Sequence, residues 1–221
     1  MKKEIFKIAI MSLVAALMFI ATPETASAQV SKKLEKKLQK EKDKEYKKKI
    51  KEYQKEGWKL TGSSRTLEVA LLEHYYKLAE SAQNKEMAGE VSQCKSINVC
   101  KQFALNNAQN NYAAKASGNI KGRTESLLRA DANMPETEID KFMSAYENII
   151  KQEVGGVLTE SYSIIKDNGS TKEYKTIFIL NEEKAVQARA KALEKSLLET
   201  KITIKEAEEI SKFVNEGFNI E

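Results

Sequence analysis

Residues 157–180, VLTESYSIIKDNGSTKEYKTIFIL, constrain this chain more than any other stretch. Two runs rich in β-branched and aromatic residues, interleaved with polar ones, flank Asp167-Asn168-Gly169-Ser170. An Asn-Gly pair accepts positive φ at low steric cost, so the runs close as an antiparallel hairpin. A sheet built on that hairpin needs one face covered by apolar side chains, and helical periodicities elsewhere supply the cover.

GSSRTLEVALLEHYYKLAES, residues 62–81, places Leu67, Ala70 or Leu71, His74 and Leu78 on one helical face behind a cap at Ser63 or Ser64. KEMAGEVSQ, residues 85–93, reads as a short strand. A helix over about 99–117 follows, with Ala104, Ala108, Tyr112 and Ala116 on one face, small enough to lie close to a sheet. GNIKGRTESLLRAD, residues 118–131, reads as extended. Pro135 opens another helix through Ile139, Phe142, Met143, Tyr146 and Ile150, which Gly155-Gly156 ends. After the hairpin, Asn181 caps a helix faced by Val186, Ala190, Leu193 and Leu197. Thr203-Ile204-Lys205-Glu206 is a capping box for a last helix, stopped by Gly217. The expected fold class is α+β, with helices packed on a mainly antiparallel sheet and preceded by a long charged N-terminal helix.

That first helix lies in SKKLEKKLQKEKDKEYKKKIKEYQKEGWKL. Ser31 to Glu56 holds twelve lysines against six acidic residues, whereas the chain from Gly57 onward holds 22 basic and 24 acidic residues. The positive charge of the whole sequence therefore resides in one segment. Leu34, Leu38, Tyr46, Ile50 and Tyr53 form one narrow apolar stripe on it, of the coiled-coil kind, and Gly57 stands where a C-cap falls. A solvated helix and an anion-binding surface both fit such a charge run. The stripe is too narrow to share much of the following core, so the helix is expected to be separable.

The N-terminus points to export. MKKEIFK is a basic start, IAIMSLVAALMFIA an apolar run, and Ala26-Ser27-Ala28 a small-x-small cleavage pattern, which sets Gln29 as the first mature residue. The run is shorter than the roughly 20 residues that span a bilayer, and no later segment replaces it, so no transmembrane anchor is expected after cleavage. The product is expected in the periplasm or outside the cell. The domain reading is residues 1–28 as signal peptide, 29–57 as lysine-rich helix, 58–200 as the α+β domain and 201–221 as the C-terminal helix.

Cys94 and Cys100, the only two cysteines, stand six positions apart in SQCKSINVC. In an oxidising compartment this pair is expected as a structural disulfide in preference to free thiols or a redox pair, which would favour C-x-x-C. With Asn98 as a helix N-cap, the bond would join a loop to a helix's first turn. No metal site is expected, because one histidine and two cysteines cannot complete the usual four ligands. His74 sits beside a core stripe without a second histidine or a serine motif, so a partly buried, hydrogen-bonded role is expected for it rather than a catalytic one.

No catalytic or cofactor-binding residues can be named. G-x-S-x-G, H-E-x-x-H, a P-loop and a dinucleotide fingerprint are all missing from the sequence, and acids such as Glu125 and Glu160 read as surface charge. The expected function is a non-enzymatic interaction or structural module of the cell envelope. The alternative is a periplasmic hydrolase or redox enzyme with an unrecognised site. The partner expected at the lysine-rich helix is an envelope protein or an anionic envelope polymer; homo-oligomers are a further expectation. Nucleic acid is not expected, since lysines without interleaved arginines or a base-reading module specify no sequence.

EGWKLTGSSRTLEVALLEHY, GEVSQCKSINVCKQFALNNAQNNYAAKASG and the late hairpin with its helix resemble exported proteins of unassigned function from gram-negative anaerobes. The alanine-rich helix behind a glycine-containing strand also resembles the lipoprotein-twenty-like domains of bacterial envelope and flagellar proteins. The resemblance covers about residues 56–200. It implies an envelope-associated, non-catalytic module and carries over no active-site residue. The lipidated cysteine of the lipoprotein members is missing here, so outer-membrane anchoring is not implied.

Overall fold

The computed structural model describes residues 32–130, 134–200 and 202–214. The expected signal peptide, its cleavage point before Gln29 and the stop at Gly217 lie outside the described residues. Among the described residues ten elements follow one another: α1 (Lys32–Lys55), β1 (Lys59–Thr61), α2 (Leu67–Ala79), β2 (Asn84–Cys94), α3 (Ile97–Ala130), α4 (Glu136–Gly155), β3 (Leu158–Asn168), β4 (Thr171–Asn181), α5 (Glu182–Leu198) and α6 (Ile204–Phe213). The fold class is α+β, with helices packed on one four-stranded antiparallel sheet of order β1-β3-β4-β2.

The hairpin β3–β4 is the centre of that sheet. Gly169 turns it with φ of +70°, a backbone angle that favours glycine. β1 adds to the outer edge of β3, with Lys59 opposite Ile165, Leu60 opposite Ile164 and Thr61 opposite Ser163. Three residues are too few for an alternating pattern, so this strand is set by its pairing rather than by its sequence.

The described chain divides into two compact units. One contains residues up to 107 and 159–179, and with them most of the sheet. Its core joins Leu67, Ala70 and Leu71 of α2 to Tyr162, Ile164 and Ile177 of the hairpin. Ile50 and Tyr53 of α1 belong to the same cluster, and Tyr46 packs against it. The lysine-rich helix is therefore not a separate element, as the narrow stripe had led one to expect. Two large side chains one turn apart suffice to insert it into the core, while Lys44, Lys47, Lys48, Lys51 and Lys55 stay exposed.

A second cluster in this unit packs Val91 of β2 and Tyr174 of β4 against Cys100 and Ala104 of α3. Here the backbones meet. A Cβ on Gly89 would stand 1.8 Å from the Ala104 carbonyl oxygen, so the absence of a side chain at 89 is what lets α3 lie on β2.

The other unit, residues 108–158 and 180–214 among those described, is helical. α4 buries Ile139, Phe142, Met143, Tyr146, Ile150 and Val154, the face read from the sequence plus one turn. α5 is buried nearly all round, with Ala185, Ala188, Ala190 and Ala192 allowing close approach. Asn181 caps it by accepting a hydrogen bond from the Lys184 amide, and both bonds of the Thr203–Glu206 capping box are present on α6.

Three local readings are corrected. Residues 118–130 are not extended but continue α3 to Ala130. Ala116, Ile120, Thr124 and Leu128 repeat at four-residue spacing and are all buried. Burial of each of the larger ones is worth about 1.5–3 kcal/mol, which outweighs about 1 kcal/mol for each of Gly118 and Gly122. The cap of α2 is Thr66, whose hydroxyl accepts from the Val69 amide, rather than Ser63 or Ser64. α3 starts at Ile97, with the Ser96 hydroxyl accepting from the Val99 amide at 3.4 Å, so Asn98 lies inside the first turn rather than capping it.

Candidate functional site

Cys94 and Cys100 form a disulfide with a Cα–Cα distance of 5.4 Å. It ties the last residue of β2 to the first turn of α3. Both side chains are buried, in the cluster with Val91, Ala104 and Tyr174. Around them Lys95, Ile97, Val99 and Phe103 are exposed, so the bond faces inward and fixes a turn rather than presenting sulfur to solvent.

The polar centre of the sheet unit is His74. It is 1% exposed and bonded at both ring nitrogens. A carboxylate can only accept, so Nε2–H donates to Glu86 Oε2 at 2.6 Å, and Nδ1 shares a hydrogen bond with the Ser161 hydroxyl at 3.0 Å. Lys49 of α1 donates to the other Glu86 oxygen at 3.3 Å. Burial tends to raise the Glu86 carboxyl, but the His74 hydrogen bond and the Lys49 ammonium outweigh it, so its pKa lies below the ordinary 4.5. Burial likewise lowers Lys49, and Glu86, Tyr53 and Tyr75 more than reverse it, leaving the ammonium stabilised.

The hydroxyl, imidazole, carboxylate order of Ser161, His74 and Glu86 is that of a nucleophilic relay. Its surroundings are those of a core tie. Ser161 is 8% exposed, and Tyr75 and Tyr162 pack edge-on against the imidazole. Tyr162 in turn meets Tyr53 hydroxyl to hydroxyl at 3.3 Å, and burial pushes the Tyr162 phenol far up. The cluster thus joins α1, α2, β2 and β3 with each imidazole nitrogen satisfied. His74 takes the hydrogen-bonded place read for it, and is more deeply buried than the sequence implied. Its partners at 86 and 161 were not readable, because separations of 12 and 87 residues leave no periodic trace.

The helical unit has a polar centre of its own. Arg189 is fully buried on α5, donating to the Tyr112 hydroxyl at 2.5 Å and to Glu182 at 2.6 Å. Burial raises Tyr112 to about 12 against the pull of the guanidinium. Tyr146 lies in the same unit, its phenol pushed up by burial and its hydroxyl without a hydrogen-bond partner among the described residues. An arginine at an otherwise apolar, alanine-rich helical position was missed in the sequence; the only available signal was Glu182 seven residues before it.

α1 contributes to two surfaces. On the side away from Ile50 and Tyr53, Lys44, Lys47, Lys48, Lys51 and Lys55 are exposed. Lys44 pairs with Glu41 and Lys48 with Glu52, while Lys47, Lys51 and Lys55 make no ion pair with described residues. On the other side, a groove of about 440 Å3 runs between α1 and α2. Of the acids singled out earlier, Glu160 pairs with Lys101 at 2.7 Å and Glu125 with Lys121 at 3.9 Å, both ordinary surface pairs. Among the described residues no cluster of three metal-ligating side chains occurs, and no helix is long and apolar enough to cross a membrane. Comparison with protein-family models, with curated proteins and with solved structures finds no match to this chain.

Proposed function

We propose that the chain is an exported cell-envelope protein that works by binding, and that the outward face of α1 receives an anionic envelope polymer. The observation that carries this reading is the stripe Lys47, Lys51 and Lys55, four residues apart, exposed and without ion pairs to described residues. Lysines left unpaired on a helix that is anchored on its opposite side hold positive charge at fixed spacing. A polyanion meeting them releases its counterions, and affinity follows. Export rests on the basic start, the apolar run and Ala26-Ser27-Ala28.

The test is binding of the purified chain to lipopolysaccharide at rising salt. Affinity should fall steeply with salt, and a Lys47→Glu, Lys51→Glu, Lys55→Glu variant should lose it while melting at the same temperature. Salt-independent binding, or binding unchanged in the variant, would overturn the reading. Intact-mass analysis of exported protein should start at Gln29.

The hydrolase alternative has one observation in its favour, the Ser161–His74–Glu86 order. Covalent labelling of Ser161 by a fluorophosphonate in the folded protein would decide for it.

A further inference from the structure

The groove between α1 and α2 has an apolar wall and a charged rim. Tyr46 of α1 and Leu72, Tyr75, Tyr76 and Leu78 of α2 form the wall. Lys42, Asp43 and Glu45 of α1 form the rim. Leu72 and Tyr76 also stand out into solvent, at 54% and 69% exposure, and Val69 joins them at 42%. Their spacing, i, i+3 and i+7, is the seam along which two helices interdigitate. Side chains of this size left out along one side of a helix mark an interaction surface.

We propose that the occupant of this groove is a second copy of the same chain, bound about a two-fold axis. Two features of the surface select it. α2 carries both the projecting ridge and one wall of the groove, so a two-fold operation sets each ridge into the other groove, as an isologous interface requires. The rim holds both signs within one helical turn, so two antiparallel copies can set Lys42 of each toward Glu45 of the other. An anionic polymer or lipid surface, or an acidic helix, would meet that carboxylate unfavourably. The lysine stripe lies on the opposite side of α1, so pairing through the groove leaves it open and does not depend on the polyanion reading.

Sedimentation velocity of the full chain over a dilution series tests this. A reversible dimer is expected, and Leu72→Glu should raise its dissociation constant about 30-fold or more, as a central apolar anchor does. Leu72 is exposed, so the variant should keep the parent melting temperature. Tyr76→Lys, at a still more exposed position, provides the same readout should Leu72→Glu fail to fold. The lysine-stripe variant should dimerise like the parent, which separates this proposal from polyanion binding. A monomer at every concentration, a dimer indifferent to both groove variants, or a monomer whose groove takes up an amphipathic peptide instead would each overturn it.

Discussion

At the scale of single residues, the sheet unit depends on a few contacts with no slack. The clearest is Gly89, where any side chain would meet the Ala104 carbonyl oxygen at 1.8 Å. Backbone cannot swing aside as a flexible side chain can, so Gly89→Ala should destabilise by about 3 kcal/mol, at the upper end of overpacking costs. A denaturant titration that finds the variant within error of the parent would refute the close contact. Glu86 gives the corresponding electrostatic expectation. Its pKa is depressed in the fold, so its contribution is fully present above the unfolded value of 4.5 and is lost as pH falls through the lower folded value. Glu86→Gln should therefore lower the melting temperature at neutral pH, and the gap to the parent should close in acid. A gap that stayed constant through the carboxylate range would mean the charge of Glu86 does not matter. Of this network the sequence disclosed only His74, by its place beside Leu71 and Leu78. Glu86 is one of many acids and Ser161 one of many serines, and nothing local marks a partner brought in by tertiary folding.

At the scale of elements, legibility followed the range of the forces that set each boundary. The turn at Gly169, the Asn181 cap and the Thr203–Glu206 box are decided within four residues, and each stands where the sequence places it. The end of α3 is decided by burial. Residues 118–131 read locally as extended, yet Ile120 and Leu128 among them are completely buried, and that stripe extends the helix by more than three turns beyond the local reading. The same geometry makes a prediction. Gly118 and Gly122 are exposed, neither has a positive φ, and a Cβ on either would meet nothing within 4 Å. Their only effect is the entropy they give the unfolded chain. Gly118→Ala and Gly122→Ala should each stabilise by about 0.5–1 kcal/mol. Chemical denaturation would show it as a higher midpoint at unchanged slope; a lower midpoint would mean that some contact of the glycine backbone had been overlooked. β1 marks the opposite limit, since three residues paired to Ser163, Ile164 and Ile165 have no pattern of their own to read.

At the scale of the whole molecule, charge and core meet in α1. Twelve lysines against six acids between Ser31 and Glu56 invite the view of a detachable basic arm, because the chain from Gly57 onward, with 22 bases and 24 acids, is nearly neutral. The packing assigns the helix two roles on two faces. Ile50 and Tyr53 are buried with Leu71, Tyr162 and Ile164, the Tyr46 hydroxyl donates to the Glu68 carbonyl at 3.1 Å, and Lys49 holds Glu86. Removing the helix strips apolar cover from the sheet unit and leaves the half-buried Glu86 without the Lys49 ammonium. Loss of a large buried side chain costs about 2–5 kcal/mol, so two together approach the whole stability of a typical domain. A chain shortened to begin at Trp58 should therefore lose the cooperative melting transition of the sheet unit, whereas the exposed Lys47, Lys51 and Lys55 can be reversed in charge with little change in melting. Circular dichroism melts of the two variants side by side check this. A shortened chain that still unfolds sharply near the parent temperature would restore α1 to the role of a separable arm, and the buried places of Ile50 and Tyr53 would have no energetic meaning.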